Sequence, residues 1–488
     1  MTTYQAIPGM PPLPSRQDTA RAEHTSLRRR MLEGTWEADL EDELYRHLPS
    51  DRREAWGAAD MSSNPFEQVT RQLSVLYHET PHIHVEGDSD ISLLTGRKGL
   101  LTTSGLWPLM QRVQQLTLGL RECFLRIDFV NPKDIIAGEV PKVFYRVVTP
   151  DFVYCESSED APDIPLYYQE TRLRENKEGE LIWVADIFSI KDPDNPFYEM
   201  RALKSDGTLG NDVSEEFMGR AFRGNDYPFR DSRNRPFLPL VLYHAAKTGK
   251  LWNAYDSSSL VYGSLTSAVL FTMWTHIVKD ASWPQRYIAG LQLAGLSNMD
   301  NDNIARRAAV TTDPSSILVF MQEQDSTSQP LVGQFQPGSN PRELLESVSS
   351  YEYRVAVSGG ISPSELTRTS SDPRSGFSLS VSRQGQREAS RAYAPLFRYA
   401  DEELIQKTAS LSNRFFGTSL PEEGYYVSYQ ALPLSPEETR ALREDIVQKL
   451  SAGLISPLEA IRMLHPDLDE EAAREKLLKI RRERAEFL

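Results

Sequence analysis

From Phe124 to about residue 245 apolar residues alternate with polar ones, and on both sides of this stretch they recur at helical spacing. A period of two puts successive side chains on opposite faces of a strand, whereas recurrence at three and four residues lines one face of a helix. A chain that switches from one period to the other and back is neither an all-helical bundle nor a pure β-sandwich, so a mixed α+β fold is predicted. Phe124–Val130, Val143–Val148, Leu166–Leu173 and Leu181–Phe188 read as strands divided by Pro, Gly, Asp and Asn clusters, and Phe237–Tyr243 closes the region.

Before it, the first twenty residues are rich in Pro and polar groups and are expected to form a loose arm. Residues 22–50 are charged and helical in pattern, with Leu27, Met31, Leu32, Trp36, Leu40, Leu44 and Leu48 on the repeat. Asn64-Pro65-Phe66-Glu67 opens a further helix with a capping residue, Pro at the first position and Glu at the third. Pro81–Val85 alternates like a short strand, and residues 105–123 read as a third helix.

After it, a semi-apolar helix is predicted over 257–282, stopped by Trp283-Pro284 and about 39 Å long at 1.5 Å per residue. Ser264, Thr266, Ser267, Thr272, Thr275 and His276 interrupt it. It therefore reads as a helix buried against protein, since a membrane span needs about 20 mostly apolar residues. Short strands follow at 286–290, 316–320 and 331–335. Asn340-Pro341-Arg342-Glu343 starts a helix to about Val357, and a Gly/Ser/Pro-rich stretch runs from Ser358 to Ser375. A long helix over 376–411 carries Ala389, Ala392, Leu396, Ala400 and Leu404 as its stripe. A strand over Tyr425–Tyr429 and three helical segments end the chain. Ser362-Pro-Ser-Glu, Ser435-Pro-Glu-Glu and Ser456-Pro-Leu-Glu are capping boxes, local helix starts and not a repeat architecture.

The 54 Lys and Arg against 69 Asp and Glu argue against a protein that coats nucleic acid, because such binding needs clustered cations to displace counterions. Two cysteines, Cys123 and Cys155, make neither a disulfide framework nor a four-cysteine zinc site, and they fit a reducing compartment. They read as small core residues. The first residues have no basic segment followed by an apolar one, so no secretory signal is expected.

Catalytic motifs are scarce. Gly333-Gln-Phe-Gln-Pro-Gly338-Ser-Asn lacks the Lys and Ser/Thr of a phosphate-binding loop, and HExxH, GxSxG, GxGxxG and CxxC are missing from the sequence. His78, His82 and His84 form one cluster of candidate metal ligands, the last two on one strand face, and a metal-dependent nuclease or hydrolase using them or scattered carboxylates is the alternative reading. A helix-to-strand turn with surface histidines, with no Cys nearby and further ligands needed from elsewhere, is the preferred reading. Asp300-Asn-Asp-Asn-Ile-Ala has Ala305 where a calcium loop needs Gly and reads as a loop tip, and Asp88-Ser-Asp90 reads as a turn. No cofactor is expected.

The element order resembles that of the portal proteins of tailed double-stranded-DNA bacteriophages. Three stretches carry the resemblance: Asn64 to Ile83, Ile361 to Leu379 and Gly453 to Ala473. The second, Ile361-Ser-Pro-Ser-Glu-Leu-Thr-Arg, looks like the family's tunnel loop running into a Ser-Gly helix start. The third, Gly453-Leu-Ile-Ser and the helix after it, looks like its C-terminal crown. The resemblance implies a portal fold with an arm at 1–20, an α+β wing at 21–255, a stem helix at 256–283, a clip at 284–339, a second stem helix at 340–357, a tunnel loop at 358–375, a long wing helix at 376–419 and a crown at 420–488. It also implies a non-enzymatic ring of usually twelve subunits at one capsid vertex of the virion, assembled in the host cytoplasm. Double-stranded DNA would pass through it without sequence readout. The terminase, the major capsid or scaffold protein, and adaptor or tail proteins would dock on it, with no membrane involved. Twelve copies would carry about −180 charges, which disfavours lasting phosphate contacts. Lys279, Arg354, Arg368 and Arg374 are then the candidate channel cations, although an ion pair between subunits is the slightly favoured reading for each, and Gly359-Gly360 would let the loop move.

Overall fold

A computed structural model describes residues 11–47, 58–87, 90–129, 142–218, 222, 226–282, 286–289, 317–320, 331–334, 340–361, 384–432, 436–464 and 470–486. The fold is mixed α+β, as the switch of period predicts. Helix α1 (Arg16–Glu33) begins where Ser15 Oγ accepts the Asp18 amide at 3.0 Å and ends at Gly34, whose φ of 74° needs glycine. The helical repeat over 22–50 is thereby cut into α1 and α2 (Glu37–His47). The predicted loose arm does not extend to residue 20: α1 starts at Arg16, and Pro11 and Leu13 are already buried. Leu13 packs so close to Gly207 that a Cβ there would sit 2.6 Å from its carbonyl oxygen. Helix α3 (Pro65–Leu73) has the expected cap, with Asn64 Oδ1 accepting the Glu67 amide at 3.2 Å, and α4 (Ser92–Thr95), α5 (Leu100–Thr103) and α6 (Leu106–Leu120) follow it.

The period-two region makes two antiparallel sheets. In the first, β2 (Glu122–Phe129) lies between β3 (Val143–Val148) and β9 (Leu240–His244). Strand β9 starts only after Pro239, because proline has no N–H for the ladder, although its carbonyl still accepts the Ile127 amide at 2.9 Å. The second is a meander of β4 (Val153–Ser157), β5 (Pro165–Glu175), β6 (Leu181–Ser189), β7 (Phe197–Leu203) and β8 (Leu209–Asp212), followed by the short helix α7 (Ser214–Phe217). Strands β4, β7 and β8 add to the predicted set. Three of the four β8 residues are exposed, so it has no apolar alternation to read, and its pairing comes from β7.

Between the sheets lies a buried ionic cluster. Arg126 Nη1 on β2 donates to Asp186 Oδ2 at 2.6 Å and Glu170 Oε2 at 3.1 Å, Arg146 Nη1 on β3 to Glu170 Oε1 at 2.7 Å, and Arg172 Nη2 on β5 to Asp186 Oδ2 at 2.8 Å. Burial alone would lower the Arg126 pKa, but Asp186, Asp128 and Glu170 together hold it well above its ordinary value. Each charge faces an opposite one, which is the condition under which they can be buried at all, while Asp186 Oδ1 accepts no hydrogen bond among the described residues.

A second buried cluster fastens the C-terminal part. Helix α10 (Gln384–Phe416) runs five residues beyond the predicted end at 411 and stops at Gly417, with φ 67°. Its Asp401 carboxylate accepts three phenol hydroxyls: Tyr77 after α3 at 2.9 and 3.0 Å, Tyr243 on β9 at 2.9 Å, and Tyr429 at 2.7 Å. Burial pushes its pKa up to about 7 despite these donors. Tyr429 follows β13 (Tyr425–Ser428), which pairs antiparallel with β1 (His82–Val85) in the register His82 to Ser428. The C-terminal helices are α11 (Pro436–Ser451), α12 (Pro457–Leu464) and α13 (Glu470–Glu486). At α12 the capping box forms in both directions: Ser456 Oγ accepts the Glu459 amide at 3.1 Å and Glu459 Oε2 the Ser456 amide at 2.7 Å. Ser362 and Ser435 lie outside the described residues.

Candidate functional site

Helix α8 (Ser258–Ser282) matches the predicted semi-apolar helix, and its polar interruptions have tasks. Ser264 Oγ donates to Leu260 O at 2.7 Å and accepts the Phe66 amide at 2.9 Å, satisfying an orphan N–H in the first turn of α3. Thr272 Oγ1 donates to Ala268 O and accepts the Asp60 amide, both at 2.9 Å. Leu260, Val261, Leu265, Ala268 and Val269 are core residues. By length and composition α8 is apolar enough to cross a bilayer, yet this first half is built into the body of the protein. From Leu270 onward all described side chains except Thr272 are half-buried or exposed, so the second half leaves the core.

Helix α9 (Pro341–Ser358) is capped by Asn340, whose Oδ1 accepts the Arg342 amide at 3.1 Å. It packs antiparallel along α8: Gly359 lies against Leu260, Gly263 against Val355, Ser267 Oγ donates to Glu352 Oε1 at 3.2 Å, and Trp274 Nε1 donates to Pro341 O at 2.9 Å. Glu352 also accepts from Ser63, so a half-buried carboxylate joins both helices to the segment before α3. Sequence reasoning missed Glu352; an acid three residues before the buried Val355-Ala356 pair was its only trace. A Cβ on Gly263 would sit 2.8 Å from Val355 Cγ2, which is why the helices approach this closely there. Between their outer ends the chain forms a small sheet in which β10 (Arg286–Ala289) pairs parallel with β11 (Ile317–Phe320) and antiparallel with β12 (Leu331–Gln334). The result is a helix pair rooted in the core with a three-stranded module between its far ends.

The two described candidate channel cations lie apart on one subunit. Arg354 is exposed near the rooted end of α9, and Lys279 is exposed in the last turn of α8, roughly 24 Å further along the pair at 1.5 Å per residue. Neither has an ion-pair partner among the described residues. Arg368 and Arg374 lie outside the described residues. The two glycines differ from the expectation of shared flexibility. Gly359 has φ −87°, caps α9 and packs on Val69 and Leu260, where a Cβ would come within 2.8 and 3.1 Å. Gly360 has φ 90° and open space around it, so the left-handed turn is its task alone. Ile361 is buried, which anchors the start of the stretch that follows.

The histidines form no ligand set. His82 and His84 share the exposed face of β1, as expected, but His82 Nε2 meets Gln430 Nε2 at 3.0 Å and His78 Nδ1 meets Val75 O at 2.9 Å. No group of three or more His, Cys, Asp or Glu among the described residues could hold a metal. Asp90 Oδ1 accepts the Ser92 amide at 2.8 Å, a turn contact, and residues 300–305 lie outside the described residues. Cys123 and Cys155 are buried in β2 and β4; burial pushes the Cys123 thiol up to about 12 and Cys155 well above its ordinary value, leaving neither as a thiolate.

No family model matches the chain, and no curated protein matches it. Among solved structures, the neck of an empty GTA particle computed with C6 symmetry is similar at 12% identity and a TM-score of 0.40, over 83% of this chain and 90% of that one. The virion of a native gene transfer agent particle and the neck of a native GTA particle computed with C12 symmetry are similar at 12% identity and TM-scores of 0.38, over 83% and 82% of this chain and 90% of each of those. Likeness at this level is too low to argue from.

Proposed function

We propose that the chain is the subunit of a portal ring: a structural protein through which double-stranded DNA enters and leaves a viral capsid. The observation that carries this reading is the antiparallel α8–α9 pair, rooted in the α+β body and carrying the β10–β12 module between its far ends. A lone subunit has no evident use for a helix pair that leaves its own core. In a ring the half-buried surface of the pair, which includes Leu270, Leu344 and Tyr351 in a shallow cleft, packs against the neighbouring pair. On this reading α8 and α9 are the stem, residues 284–339 the clip, 358–375 the tunnel loop and the region from 420 the crown. The acidic excess suits a conduit that must release phosphate as fast as it meets it. Lys279 and Arg354, without ion-pair partners among the described residues, are available to DNA or to a neighbour's carboxylate. The terminase, the capsid or scaffold protein, and tail or adaptor proteins are the partners such a ring serves, at a capsid vertex.

Negative-stain imaging of the purified chain tests this: rings with a central hole are expected. A compact monomer at all concentrations and salt levels refutes it.

A further inference from the structure

The chain is acidic overall, but its last helix is not. Residues 474–484 hold six basic side chains (Arg474, Lys476, Lys479, Arg481, Arg482 and Arg484) against two acidic ones, Glu475 and Glu483. On α13 the described basic side chains are exposed except the half-buried Lys476. Lys476, Lys479, Arg481 and Arg482 have no ion-pair partner among the described residues, in a chain where Arg28, Arg30, Arg126, Arg146 and Arg172 are all held by hydrogen bonds. Helix α13 packs on α12 and Ala473 near its start is buried, but beyond it Leu478 and Ile480 are exposed, so this half of the helix is solvated on most sides.

Two ordinary explanations fall short. Cations favour the C-terminal end of a helix dipole, but that effect fades within the last turn, and Lys476 and Lys479 lie before it. Intrahelical pairing to Glu475 is not made by Lys479, four residues on. Unpaired like charges one turn apart, such as Lys479 and Arg482, destabilise the helix, and a polyanion reverses the sign of that effect.

We infer that the second half of α13 is a nucleic-acid contact that grips the phosphate backbone without reading sequence. The basic residues are spaced round the whole helix, and a sequence reader would instead gather them on one groove-facing side. This inference stands apart from the ring reading: a ring multiplies the contact, but each subunit carries it.

The test uses the full chain and a short fluorescent duplex of arbitrary sequence, with anisotropy read between about 50 and 200 mM salt and particle mass measured in parallel. The triple variant Lys479→Gln, Arg481→Gln, Arg482→Gln keeps helix propensity and touches no core residue. Its affinity is expected to fall roughly tenfold or more, with the salt slope reduced by about 0.9 for each phosphate that the variant no longer neutralises. Unchanged affinity and slope overturn the inference. So does loss of rings that the unmodified chain forms, which would place these cations against a neighbour's carboxylates, and so does binding to anionic phospholipid vesicles without binding to the duplex. A monomer that shows the altered slope upholds the inference while refuting the ring.

Discussion

Replacing Asp401 by Asn tests the energetics of the tyrosine cluster directly. The carboxyl has a folded-state pKa of about 7 against an ordinary 3.8, with burial as the main cause. Between those values the unfolded chain has lost the proton while the folded chain keeps it. The stabilising effect is therefore complete below pH 3.8 and is lost as pH rises through about 7. A shift of about three units corresponds to about 4 kcal/mol, lost at up to about 1.4 kcal/mol per pH unit. Asn keeps one oxygen for the phenols of Tyr77, Tyr243 and Tyr429 but cannot ionise. Urea unfolding at one protein concentration, from pH 5 to pH 8, is the assay. The variant should lose stability less steeply with pH than the unmodified chain, so that the difference between them changes by roughly 2 kcal/mol or more across that range. Glu122, whose carboxyl burial also raises to about 7, contributes the same slope to both proteins and cancels in the difference. Parallel pH profiles would refute the reasoning.

Arg126→Met should cost about 3–5 kcal/mol by urea unfolding, because Asp186 and Glu170 stay buried with one cation fewer. A loss below about 1 kcal/mol would mean that Arg146 and Arg172 suffice. Gly359→Ala should destabilise by about 1–2 kcal/mol through its clash with Val69 and Leu260, and Val69→Ala should cost less in that background than alone; additivity of the two changes would show that no clash exists.

Local chemistry was legible in the residues. Asn64, Asn340 and Ser456 cap the helices they were expected to cap, because a cap needs only a few consecutive residues. The α8 and α9 helices and the strands β2, β3, β5 and β6 follow from their periodicity. Gly359 shows where that reading stops: a Gly-Gly pair in a Ser-rich stretch suggests freedom, but which glycine turns the chain and which makes room for Val69 depends on a residue 290 positions away. The short strand β8 left no signal, because its pairing is backbone to backbone.

Spacing and charge along the chain were enough for the class of the fold, the helix starts at Asn64, Asn340 and Ser456, and the core role of the cysteines. Which of these features meet was settled by the packing of distant elements. Folding brought Tyr77, Tyr243 and Tyr429 to one carboxylate, laid α9 antiparallel along α8, and paired β1 with β13 from far apart in the chain. It also kept His78, His82 and His84 from forming a metal site, and it left Lys476, Lys479, Arg481 and Arg482 of α13 without ion-pair partners among the described residues. Periodicity fixes which face of an element is buried, but it carries no information about the distant side chain that covers that face.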